Sequence, residues 1–121
     1  MEIKVGYLKK EIIDLLKINL KPGEIKLLSG GIKHIRKRRI NCFNRYIKKI
    51  PDIIKSPDYI GTNPKYLKSV EYIKKIDKNI LVAVRLSHYG GLRGLSVATM
   101  YEITESKILS MLSYDRIIKM K

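Results

Sequence analysis

The chain has 121 residues, and 26 Lys and Arg against 11 Asp and Glu give it a formal charge of +15 at pH 7. Apolar residues make up 45%, so a disordered tail is excluded and one domain spanning 1–121 with its own core is expected. The single cysteine, Cys42, excludes an intramolecular disulfide and a multi-cysteine zinc site, and reads as a small buried side chain.

The elements follow in chain order. MEIKVGY alternates Ile3, Val5 and Tyr7 with other residues, which predicts a short strand. Residues 9–19 place Ile12, Leu15, Leu16 and Ile18 at helical spacing, and Pro22-Gly23 is expected to end that helix. Residues 24–28, EIKLL, read as a short strand or an extended entry. Ser29 then serves as N-cap of a helix carrying GGIKHIRKRR. Residues 41–49 predict a second helix or its continuation, stopped by Pro51. The stretch 51–66 holds Pro51, Pro57, Gly61 and Pro64 and reads as a loop, with one brief extended piece at 58–60.

From residue 69 the period becomes strand-like. Three strands, 69–76, 79–87 and 92–103, form an antiparallel meander, with Gly90-Gly91 as a hairpin signal. The tail reads as a short helix or as another strand at the sheet edge. The resulting class is α+β: N-terminal helices packed on one face of a small antiparallel sheet.

The charge is the first functional signal. Self-repulsion makes such an excess costly to the fold, so a polyanion or an acidic protein is the expected partner. Nucleic acid comes first. A membrane is not expected, since no apolar run approaches the ~18 residues of a span and no lipidation signal is visible. No signal peptide is read, and the expected location is cytoplasmic.

Three groups of residues could carry chemistry. In GGIKHIRKRR, helical geometry makes Ile32 and Ile35 the buried face and puts His34 about 130° away. His34 then stands among Lys33, Arg36, Lys37, Arg38 and Arg39, with Arg38 one turn beyond it. An outward histidine in a cationic setting suits proton transfer at a phosphodiester; the plainer reading is a solvated basic face. On the last long strand, Thr99 and Tyr101 are two apart and share a face. They are ordinary strand residues, or a phosphate donor beside a stacking or proton-handling ring. Arg85, Ser87 and His88, with Arg93 across the hairpin, could contact phosphate or lie as loop surface. There is no Walker-type loop, no serine triad and no metal-ligand spacing, so neither a metal nor a cofactor is expected.

GGIKHIRKRR, IKKIPDIIKSPDYIG, NILVAVRLS and LSVATMYEI, in this order, resemble the phage-type nuclease domains of the BECR superfamily, which groups barnase, EndoU, colicin-type tRNases and RelE. The resemblance covers most of residues 24–108. Phage-type members are often modules of mobile-element polyvalent proteins. The resemblance implies helices followed by an antiparallel sheet of about four strands. It also implies a metal-independent ribonuclease leaving 2′,3′-cyclic phosphate and 5′-hydroxyl ends on tRNA or mRNA. It assigns catalysis to His34 with Lys37 and Arg38, and to Thr99 with Tyr101. Lys33, Arg36, Arg39, Arg85, Ser87, His88 and Arg93 would bind nucleic acid. Many relatives are expected to carry a further histidine where this chain has Arg38-Arg39. An acidic antitoxin or immunity protein would cover the basic cleft. The competing readings are a non-catalytic basic RNA- or DNA-binding module, and an interaction domain for an acidic protein.

Overall fold

The computed structural model describes residues 2–89 and 92–120. The chain begins with a strand, β1 (Glu2–Leu8), whose alternation buries Val5 and Leu8. Helix α1 (Lys10–Leu16) buries Ile12 and Ile13. It is shorter than its apolar spacing predicts, because Lys17 turns left-handed (φ 54°) and its amide closes on the carbonyls of Asp14 and Ile13. The helix therefore ends well before Pro22-Gly23. Strand β2 (Gly23–Leu28) leads directly into α2 (Ser29–Arg38). Ser29 is the first helical residue, and the N-cap is the extended Leu28 with no side-chain cap.

Next come α3 (Ile40–Tyr46), a 3-10 turn (Ile47–Lys49) and α4 (Ile50–Lys55). Pro51 does not stop a helix here. It lies in the first turn of α4, where a missing amide proton costs nothing. The segment expected to be a loop thus holds α4 and then β3 (Tyr59–Asn63). The meander follows as β4 (Tyr66–Lys75), β5 (Asn79–Tyr89) and β6 (Leu92–Ile103). Gly90 and Gly91, the hairpin signal, lie outside the described residues. The tail forms both a helix, α5 (Glu105–Ser113), capped by the Thr104 hydroxyl accepting from the Lys107 amide, and a strand, β7 (Ile117–Lys119).

The expected sheet of about four antiparallel strands is wrong. Among the described residues the sheet has seven strands in the order β1-β2-β6-β5-β4-β3-β7, and it is mixed. The β2–β6 pairing is parallel, at Ile25↔Leu95 and Lys26↔Ser96, while the other pairings are antiparallel. Both extensions are made of short strands, and the pairings β2–β6 and β3–β7 join segments far apart in sequence. The periodicity of a three- to seven-residue strand cannot announce such a partner.

Nor do all helices come first or cover one face. Ile35, Tyr46, Ile50, Ile53 and Ile54 from α2, α3 and α4 pack with Ile80, Val82, Val84, Val97 and Met100 of the sheet. Ile108 and Met111 of α5 pack with Ile73, Leu81, Ala83 and Ile103 on the opposite face. Alternation along β5 divides Ile80, Val82 and Val84 from Leu81, Ala83 and Arg85 in this way. No helix among the described residues is long and apolar enough to cross a membrane.

Candidate active site

Helix α2 owes its position to two contacts with β6. At its start, a Cβ on Gly31 would lie 2.8 Å from the carbonyl oxygen of Val97. Glycine there lets the first turn rest on the strand backbone, while Ile35 is buried completely beneath the helix. At its end, the guanidinium of Arg39 stands 5.6 Å from the centre of the Tyr101 ring. From Gly31 to Arg39 the helix rises ~12 Å, and from Val97 to Tyr101 the strand rises ~13 Å. Helix and strand therefore run nearly in step. His34 lies ~4.5 Å beyond Gly31 along the helix. It is exposed, as its place on the helix predicts.

Thr99 and Tyr101 point to the face that α2 does not cover. The register shows what stands beside them. One row across the sheet is Ser69–Arg85–Ser96, the next is Glu71–Ala83–Thr99, and the third is Ile73–Leu81–Tyr101. The register shift at Ala83/Val84 inserts Ala98 as a bulge, which keeps both Ser96 and Thr99 on this face. Past Ser96 no described strand pairs with the outer edge of β6, so the C-terminal end of α2 reaches round that edge to Tyr101. An open pocket of 480 Å³ lies there, lined by Arg38, Arg39, Asn41, Cys42, Tyr101 and Glu102 among others.

The polar rows contain a buried ion pair. Glu71 is 2% exposed, and Arg116 donates to its Oε1 at 2.8 Å and to the carbonyl of Thr62 at 3.3 Å. Ser69 is also buried, its hydroxyl donating to the Tyr66 carbonyl at 2.7 Å. Arg85 lies over the ring of Tyr66, 3.6 Å from its centre, and its buried Nε has no hydrogen-bond partner among the described residues. An unpaired buried donor of this kind costs about 1–3 kcal/mol.

Burial pushes the Tyr101 phenol up, and the charge of Glu71 adds to this against the opposing pull of Arg116, Arg39 and Arg85. Tyr101 is thus a phenol at neutral pH, able to donate a proton or a hydrogen bond. Burial also raises the Cys42 thiol, with Glu102 adding to it, so the sulfur in this pocket is no thiolate.

The predicted residues fall into three sets. Arg38, Arg39 and Tyr101 line the pocket at the α2–β6 edge, His34 is exposed on α2, Thr99 lies on the face of β6 that α2 does not cover, and Arg85 lies farther along that face. Lys33 and Lys37 are exposed on α2, while Arg36 stacks on Phe43 at 5.3 Å and so also ties α2 to α3. Register pairs Ser87 with Gly94 and His88 with Arg93, but the side chains of Ser87, His88 and Arg93 lie outside what the structure describes. Among the described residues no group of three or more His, Cys, Asp or Glu side chains could hold a metal ion.

Glu71, Arg116, Tyr66 and Ser69 are additions that the sequence reading missed. A carboxylate inside the apolar alternation of 69–76 is a faint signal for Glu71. Arg116 has none, because its partner lies 45 positions away in the chain. A family model, the phage-Barnase-EndoU-ColicinE5/D-RelE like nuclease3, matches residues 3–110. No curated protein and no solved structure matches the chain.

Proposed function

The chain belongs to the phage-Barnase-EndoU-ColicinE5/D-RelE like nuclease family, and from that premise we propose that it is a metal-independent endoribonuclease. The observation that carries this reading is the contact of Arg39 with Tyr101, where the basic end of α2 meets the polar face of the late strand. In the proposed reaction His34 accepts the proton of the ribose 2′-hydroxyl. The 2′-oxygen bonds to phosphorus as the bond to the 5′-oxygen breaks, and Tyr101 donates its proton to that leaving oxygen. The products are a 2′,3′-cyclic phosphate and a 5′-hydroxyl. Lys37, Arg38 and Arg39 hold the phosphate, and the Thr99 hydroxyl donates to a non-bridging oxygen as charge builds there.

The substrate in this reading is tRNA or mRNA of a cell in which the chain acts as a toxin-like or mobile-element nuclease. The excess of positive charge, +15, suits both that polyanion and an acidic protein that would cover the site. The test is incubation with total RNA in EDTA, followed by detection of cyclic-phosphate ends. His34→Ala and Tyr101→Phe are expected to slow cleavage by about 10²- to 10⁴-fold, the usual worth of one acid or base group. Salt-sensitive binding without turnover would instead identify a non-catalytic RNA-binding module.

A further inference from the structure

Arg85, on the polar face, has no carboxylate partner among the described residues. Arg85 stacks on Tyr66 at 3.6 Å, so its guanidinium plane is oriented while its in-plane N–H groups remain the donors. Its Nε is buried and has no hydrogen-bond partner among the described residues. Glu71 is one register row away on the neighbouring strand, yet its Oε1 is taken by Arg116. The flanking positions across the sheet are Ser69 and Ser96, neither of which brings a charge. Beside Arg85, Tyr66 is 43% exposed, although it is a large aromatic side chain on a strand.

We propose that Tyr66 and Arg85 form a second nucleotide subsite, with a phosphate on the Arg85 fork and a base stacked on the Tyr66 ring. It rests on the reading of the substrate as an RNA strand. Arg85 and the Tyr101 row are separated by four residues of β5, or ~13 Å. One phosphate cannot bridge that span. A strand crossing the face from Tyr101 toward Tyr66 places one phosphate at each end. The subsite therefore selects single-stranded RNA whose bases are free to stack, since a base held in a duplex has no open face to offer Tyr66. The Glu71–Arg116 pair has a part in this, because it keeps the carboxylate from neutralising Arg85.

The test uses a 2′-O-methyl hexaribonucleotide, which lacks the attacking hydroxyl, and an abasic oligomer with the same number of phosphates. Binding is read by fluorescence anisotropy. Tyr66→Ala is expected to weaken the base-containing oligomer about ten-fold, the worth of one stacked base, and to leave the abasic one unchanged. Tyr66→Phe keeps the wild-type affinity for both. Arg85→Gln weakens both oligomers and lowers the salt dependence of binding by about one phosphate contact. Tyr114→Ala, at a tyrosine that is 81% exposed, changes neither. Equal losses on both oligomers with Tyr66→Ala, or no loss on either, would overturn the subsite. Because neither probe can be cut, the result is independent of catalysis. Cleavage of total RNA with no Tyr66 dependence in binding removes only the subsite, and Tyr66-dependent binding with no cleavage removes only the nuclease reading.

Discussion

Replacing Arg116 by methionine isolates the ion pair beneath the polar face. Glu71 is 2% exposed, and Arg116 supplies its hydrogen bond at 2.8 Å. Methionine has much of the arginine stem and none of its charge, so the variant leaves a buried carboxylate unpaired. Removing one partner of a fully buried pair costs about 3–5 kcal/mol. The Arg116 side chain is 23% exposed, so water reaches that end and the cost falls below that range, to about 2–3 kcal/mol. For a chain of this size that corresponds to a fall in Tm of roughly 10 °C. Urea unfolding at pH 7 should show the midpoint falling with an unchanged slope. The paired variant Arg116→Met/Glu71→Leu should regain most of the loss, because two apolar groups need no mutual compensation. A loss below about 0.5 kcal/mol for Arg116→Met would refute the reasoning, since that is the range of an ordinary surface substitution. So would a paired variant no more stable than the single one.

Two glycines test how closely the elements approach. A Cβ on Gly61 would lie 2.5 Å from the Arg116 carbonyl oxygen, so Gly61→Ala should push β7 aside and cost about 1–3 kcal/mol in urea unfolding. Gly31→Ala should lift the first turn of α2 from the Val97 carbonyl, and in the proposed enzyme it should lower RNA cleavage more than it lowers Tm. At the other end of the sheet Asp77 accepts from Tyr46 at 2.5 Å and also pairs with Arg45. The Tyr46 hydrogen bond is the main reason that Asp77 titrates below its ordinary value of 3.8 and that Tyr46 is raised to about 12. The Asp77 contribution is complete above the ordinary carboxylate range and disappears as the pH falls through the depressed folded value. The Tyr46 contribution is complete below about 10 and disappears as the pH rises toward about 12. Tyr46→Phe should therefore lower Tm at neutral pH, and the gap from wild type should close in scans at both extremes of pH.

Much of the meander was legible in the sequence. Strands that alternate or run apolar over eight or more residues state their own conformation, as in NILVAVRLS and LSVATMYEI. The outward position of His34 was legible for the same reason, because helical spacing places a residue relative to its own neighbours. Short elements carried no such signal. Lys17 ends α1 through a left-handed turn that few non-glycine residues adopt, and Pro51 opens α4 although proline more often marks an end.

The site divides along the same line. The residue types came from the sequence: a basic helix with one histidine, a Thr and a Tyr sharing a strand face, and an arginine on the central strand. Only the tertiary structure decided which of them meet. The parallel pairing of β2 with β6 ends after two residue pairs, and this lets α2 run along the strand edge until Arg39 reaches Tyr101. The return of the tail as β7 brings Arg116 to Glu71 and leaves Arg85 without a carboxylate among the described residues. Local periodicity fixes the direction of a side chain relative to its own backbone. That Glu71 is neutralised by Arg116 depends on a contact between residues 45 apart in the chain, and no local pattern encodes it.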